Sequence, residues 1–283
     1  MRRALWLILS TTLALAAVAE LGCGGEESPE DPGPIHVHGL GLNPADDALF
    51  IATHTGLYRT PEGERHPERV GERYQDTMGF TVVGADHFLG SGHPDAEGFR
   101  KGDPPLLGLI ESRDAGETWR PISLRGEADF HVLRFLGERV YGFDASNNRL
   151  LVSTEGGRTW RERRIPAPLI DLAADPRRRG HLLATTARAL FRSEDDGRTW
   201  HVLRGKPGLL AWPLHGALYV IDGAGVVRAS GDAGARFTRR GEIGGEPAAV
   251  TAAGERELYV ALHDGTIKVS IDGGRNWAVR STP

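Results

Sequence analysis

Six side chains with borderline or soft ligand atoms stand at the ends of short apolar stretches in the first half of the sequence. They are His36 and His38 in IHVHGLGL, His54 in ATHTG, Met78 in DTMGF, His93 in SGHPD and His131 in ADFHV. Neutral imidazole binds copper, zinc, nickel or iron, and a thioether tilts that choice toward copper, so the expected cofactor is a transition metal, copper or zinc. Seven of the 11 histidines precede residue 132, which puts the candidate ligands on one side of whatever fold carries them. A polar site without metal would hold a sugar or a peptide instead. Asp95, Asp129, Asp144 and Asp171 are then the candidate hydrogen-bonding or acid–base groups, and glycoside chemistry needs two carboxylates at a set separation.

What must position these residues is a repeat. SRDAGETW, STEGGRTW, SEDDGRTW, SGDAGARF and SIDGGRNW begin at Ser112, Ser153, Ser193, Ser230 and Ser270, spaced 41, 40, 37 and 40 residues apart, the length of a four-stranded propeller blade. Each follows one apolar strand and precedes another, so each is a hairpin turn. Its carboxylate (Asp114, Glu155, Asp195, Asp232, Asp272) caps turn amides, glycine supplies the positive φ, and the terminal aromatic (Trp119, Trp160, Trp200, Phe237, Trp277) packs under the blade. LYRTPEG, from Leu57, is a worn sixth copy.

Six copies predict six blades: Ile35 to Glu72, Tyr74 to Arg125, then on to Arg164, Lys206, Gly245 and the C-terminus. The first strand of each blade lines the central channel, and period-two alternation turns His36 and His38 toward it together. His54 and His93 end second strands; Met78 and His131 start first strands. Blades four and five offer Asp171, Thr186, Trp212 and Asp222 at matching places, and ring closure brings His263 and Asp264 of blade six beside blade one. His66, His87, His181, His201 and His215 read as surface. Closure itself has two forms: the N-terminal strand completes blade six, or each blade closes on itself.

The formal net charge of −4 and pI near 6.3, with both signs interspersed, exclude a nucleic-acid surface, and 38 Gly with 17 Pro fit short strands and tight turns. Met1-Arg2-Arg3 followed by the uncharged run Ala4 to Ala19 predicts an export signal over residues 1–22, then a flexible tether over 23–34 and a propeller over 35–283, expected as a monomer. Cys23 is the sole cysteine, so no disulfide forms within the chain. Its setting, Leu21-Gly22-Cys23, resembles a bacterial lipobox, with Glu20 where the usual leucine would stand. That resemblance implies a lipid anchor on Cys23 and a membrane-attached protein outside the cytoplasm; the alternative is a simply cleaved signal and a free thiol.

The eight-residue segments are those of the Asp-box or BNR repeat, and the chain resembles that β-propeller family, found in sialidases, sortilin-type propellers and a photosystem assembly factor. The resemblance implies an all-β six-bladed propeller whose boxes lie at the periphery, away from the ligand. From Ile35 onward the chain is similar to exported bacterial BNR proteins assigned as glycosyl hydrolases, above all in HVHGL, ATHTGLYR, MGF and SGHPD. Exo-sialidases of the family clamp their substrate with three arginines, the first in an Arg-Ile-Pro motif before the first box, and use a tyrosine nucleophile. Here Arg164-Ile165-Pro166 sits at a later blade linker, and Tyr58, Tyr141, Tyr219 and Tyr259 fall mid-strand as packing residues. The expectation is therefore a ligand-binding or metal-handling module with its site at the mouth near blades one to three. A sialidase-like glycoside hydrolase and a peptide-binding assembly scaffold are the alternatives.

Overall fold

The second strand of each blade reads as a run of apolar residues, with no polar side to spare. In the computed structural model, which describes residues 31–283, the reason is that both faces of a blade are covered by neighbours. Successive side chains of a strand point to opposite faces. Strand β2 (Leu49–Thr53) accordingly sends Leu49 and Ile51 into one seam and Phe50 and Ala52 into the other. The expected signal peptide (1–22), Cys23 and most of the tether (23–34) lie outside the described residues.

Six antiparallel four-stranded sheets follow one another along the chain. Blade one holds β1 (Val37–Leu42), β2, β3 (Gly56–Thr60) and β4 (Glu68–Arg69); blade two holds β5 (Asp76–Gly84), β6 (His87–His93), β7 (Leu109–Ser112) and β8 (Arg120–Ser123). Blade three runs from β9 (Phe130–Leu136) through β10 (Arg139–Asp144) and β11 (Arg149–Ser153) to β12 (Arg161–Arg163). Blade four comprises β13 (Leu169–Ala174), β14 (Leu182–Thr186), β15 (Leu190–Ser193) and β16 (His201–Leu203). Blade five comprises β17 (Leu209–Ala211), β18 (Leu218–Ile221), β19 (Val226–Ser230) and β20 (Thr238–Glu242). Blade six comprises β21 (Pro247–Ala252), β22 (Leu258–Leu262), β23 (Ile267–Ser270) and β24 (Ala278–Ser281). The first strands touch in ring order, β21 against β1 included, so the chain is an all-β six-bladed propeller. Among the described residues the α-helix α1 (Ala96–Arg100) rides on the β6–β7 connection, and no helix is long and apolar enough to cross a membrane.

The core is six seams, each an apolar cluster between adjacent blades. Phe50, Leu57, Phe80 and Phe88 fill the seam of blades one and two, and Leu89, Leu109, Phe130 and Leu133 that of two and three. Each such side chain contributes about 1.5–3 kcal/mol by leaving water. Closure takes the second of the two forms: every blade is one continuous stretch of chain, and the ring shuts by packing. Val37, Leu40, Ile51 and Tyr58 meet Ala249, Tyr259, Ala261 and Ile267. The Arg280 guanidinium then donates to the carbonyls of Thr60, Pro61 and Glu64, and Ser281 Oγ to that of Arg65 at 2.8 Å.

The five repeat turns join third and fourth strands at the end of the blade opposite to where its first strand begins. In each, the serine hydroxyl accepts the amide four residues on, at 2.8 Å for Ser112 with Gly116 and 2.9 Å for Ser270 with Gly274. Two successive left-handed residues make the bend, Ala115 (φ 56) and Gly116 (φ 91) in the first. A Cβ on Gly116 would lie 2.4 Å from Leu57 of the preceding blade, and one on Gly157 2.1 Å from Leu109, so the turns are wedged between blades and only glycine fits. Asp114, Asp195, Asp232 and Asp272 cap turn amides as expected. Glu155, one methylene longer, instead takes the Thr159 hydroxyl at 2.7 Å. The terminal aromatics pack into the seams, as Trp160 does against Phe130, with its indole N–H donating to Ser123 Oγ at 2.9 Å. The worn copy in blade one faces blade six, where Arg280 supplies the link.

Candidate functional site

The channel mouth is built by a recurring irregularity. In five of the six first strands one extra residue breaks the register: His38 in β1, Met78 in β5, His131 in β9, Ile170 in β13 and Ala248 in β21. A bulge of this kind re-aims a side chain and recurs next to binding sites. All five extra residues line one cavity of about 360 Å³ at the mouth, together with His36, Asp171 and His263. Plain alternation is thus not what turns His36 and His38 the same way. His36 precedes β1 in a left-handed conformation (φ 53), its ring 6.2 Å from that of His54, while His38 is the bulge residue.

At the seam of blades one and two, Asp76 faces two imidazoles. Its Oδ2 lies 2.9 Å from His54 Nδ1 and its Oδ1 3.6 Å from His38 Nε2. One ligand atom each from His38, His54 and Asp76 falls within 4.8 Å of the others. His38 Nε2 and Asp76 Oδ1 are buried and make no hydrogen bond, an arrangement that costs free energy unless something occupies the space between them. Burial pushes the His38 imidazole below its ordinary pKa; Asp76 opposes this, while His131, His54 and His36 reinforce it. His38 is therefore a neutral ring with a lone pair to offer.

The next seam repeats the theme. Asp129, its side chain 7% exposed, places Oδ2 2.9 Å from His131 Nε2 and 3.6 Å from His93 Nε2, and its Oδ1 is buried without a partner. His93 Nδ1 donates to the Pro105 carbonyl at 2.8 Å. Gly79 allows the strands this close: a Cβ there would sit 2.3 Å from the Phe130 carbonyl oxygen.

The remaining sequence candidates are placed elsewhere or already engaged. Asp144 is fully buried and accepts from the Asp129 amide, Asn147 and Arg149. Asp171 lines the mouth but is tied to Arg134 and to the amides of Leu172 and Leu210, and burial pushes its carboxyl up, with Arg134 pulling the other way. Asp95 caps α1 through the Gly98 amide at 2.7 Å, outside the mouth lining. Trp212 lines the opposite mouth, because β17 is only three residues long and presents Leu209 here. His263 does reach the cavity beside blade one. His87, expected at the surface, is half-buried and bonded to Glu111 at 2.8 Å, and His181 is half-buried too.

Asp76 is the residue that the sequence reading missed. Aligning the strand starts HVH, DTM and DFH puts Asp76 and Asp129 at the same position, two before the bulge, and would have found it.

No protein-family model and no curated protein matches the sequence. Solved structures match its fold. A GH74 enzyme of Niastella koreensis superposes with a TM-score of 0.64 at 14% identity over 87% of this chain, which spans 45% of that enzyme's length. A nidogen/laminin complex gives 0.62 at 16% identity, covering 83% of this chain and 93% of the other. YCF48 bound to D1 peptide gives 0.50 at 18%, covering 74% and 69%. At these identities the likeness is one of fold, and it places the chain among the β-propellers. Within that class, its particular feature is a histidine- and carboxylate-lined mouth.

Proposed function

We propose that this chain is an exported, lipid-anchored propeller of the BNR/Asp-box type that binds a transition metal through His38, His54 and Asp76. The observation that carries the reading is the convergence of these three groups, with two of their polar atoms buried and without partners. Metal ligands must be deprotonated to bind, and the lowered His38 pKa meets that requirement. Asp76 supplies the negative charge that a divalent ion needs. His54, with 61% of its side chain exposed, can swing to close the coordination shell. A metal so held keeps positions open toward the mouth for a small-molecule, glycan or peptide donor, which it would orient and polarise.

A sialidase-type reaction has little support in the lining. Arg134 is the arginine at the mouth, and it is paired with Asp171; Tyr58, Tyr141, Tyr219 and Tyr259 are buried in the seams. A panel of aryl glycosides and sialosides should therefore show no turnover.

The test is titration of the full-length chain, purified without an affinity tag, with Zn(II), Cu(II) and Cu(I). A tight equivalent that disappears in the His38→Ala/His54→Ala double variant supports the reading. Stoichiometry unchanged by that variant sinks it.

A further inference from the structure

Around the mouth stands a rim of apolar side chains that the metal ligands do not use. Ile35 precedes His36 where the chain enters blade one, Tyr74 lies two residues before β5, and Phe99 is on α1, in the β6–β7 connection. All three positions are at the end of the ring where first strands begin. Contacts join them. The Ile35 amide donates to Thr55 Oγ1 at 3.3 Å, and Arg69 donates to the carbonyls of Thr55 and Arg73. The Arg69 guanidinium lies 3.8 Å from the centroid of the Tyr74 ring, and the Tyr74 amide donates to Asp95, the residue that caps α1.

These side chains stay about half in water: Ile35 is 41% exposed, Tyr74 46% and Phe99 52%. Single exposed apolar residues are ordinary, but their placement here is one-sided. Of the eight large ones exposed among the described residues, Ile35, Tyr74, Phe99 and Ile170 share the mouth face. Val202 and Val279 lie on outermost strands, and Leu214 and Ile271 at the other end of the ring.

We infer that this rim is seated on the head-group layer of a lipid bilayer, with the metal-binding mouth opening toward the membrane; this rests on the reading of Cys23 as lipid-anchored. Residues 24–34 join Cys23 to the rim, and a chain of that length spans at most about 40 Å when fully extended. Ile35, the next residue, is itself part of the rim, so the anchor delivers this face first. Presenting the opposite face would draw the same segment along the full height of a blade. A tyrosine ring stacked on a guanidinium, with Arg100 and Lys101 following Phe99, is the aromatic and basic combination that settles at head-group depth. Lys101 is paired with Glu97, and Arg125 with Asp103, so the seating depends on apolar contact rather than on anionic lipid. Covalent attachment raises the local concentration of the rim at the surface to the order of millimolar, where a contact of a few side chains suffices.

The experiment uses the full chain, acylated by expression in a bacterium that exports it, with a bimane fluorophore at Phe99→Cys or, on the opposite face, at Ile271→Cys. Each is reconstituted on phosphatidylcholine vesicles with and without brominated acyl chains, and flotation measures attachment. Brominated lipid should quench the Phe99→Cys label at least twofold and leave the Ile271→Cys label unchanged. Attached chain in which neither label is quenched, both are quenched alike, or only Ile271→Cys is quenched would overturn the seating and leave the anchor standing. A chain that does not float with the vesicles would overturn both. The metal titration is read without lipid, so its outcome stands apart.

Discussion

His38 shows how much one register irregularity decides. Without the bulge, the strict alternation of β1 would set its side chain by neighbours alone; with it, His38, Met78 and His131 all enter one mouth. The sequence displayed these ligands but not the bulges, because no residue type marks an extra residue in a first strand. Asp76 was legible by aligning strand starts, which sets it level with Asp129, two residues before the bulge. Because Asp76 faces two imidazoles and its Oδ1 has no other partner, Asp76→Asn should weaken metal binding at least tenfold while leaving the circular dichroism spectrum unchanged. Equal affinity for wild type and variant would remove Asp76 from the site.

At the scale of the element, the repeat turns were the most legible part of the chain, since serine, carboxylate, glycine and aromatic each has a fixed task there. Ser193 Oγ accepts the Gly197 amide and donates to Asp195 at 2.8 Å, and it is buried. Ser193→Ala leaves that buried amide without a partner and should cost about 1–3 kcal/mol in urea unfolding; Ser→Ala at an exposed loop serves as the control. Burial alone would push the Asp195 carboxyl up. Hydrogen bonds from the Thr199 amide and hydroxyl, the Ser193 hydroxyl and the Arg198 amide outweigh it and hold the group at about 2. Because the folded value lies below the unfolded one, near 3.9, the stabilisation is fully present above about pH 4 and is lost as pH falls toward 2. Asp195→Asn should flatten that part of the acid-unfolding curve, and an unaltered curve would contradict the assignment. Glu155 marks the limit of the motif: the longer side chain keeps the turn but trades an amide for the Thr159 hydroxyl.

For the whole molecule, repeat spacing gave the number of blades, whereas the manner of closure depends on contacts some 220 residues apart that no local pattern encodes. Arg280 bridges blade six to three carbonyls of blade one, so Arg280→Ala should lower stability by about 2 kcal/mol in urea. That variant should also weaken metal binding, because His38 lies on β1, the strand that blade six supports. The central claim is the metal at the seam of blades one and two, and anomalous diffraction from crystals of the full-length chain soaked in Zn(II) or Cu(II) tests it most directly. A peak about 2.0–2.2 Å from an imidazole nitrogen of His38, one of His54 and a carboxylate oxygen of Asp76 is the predicted result. No anomalous peak at the channel mouth, or a peak only at surface histidines such as His201 or His215, would contradict it.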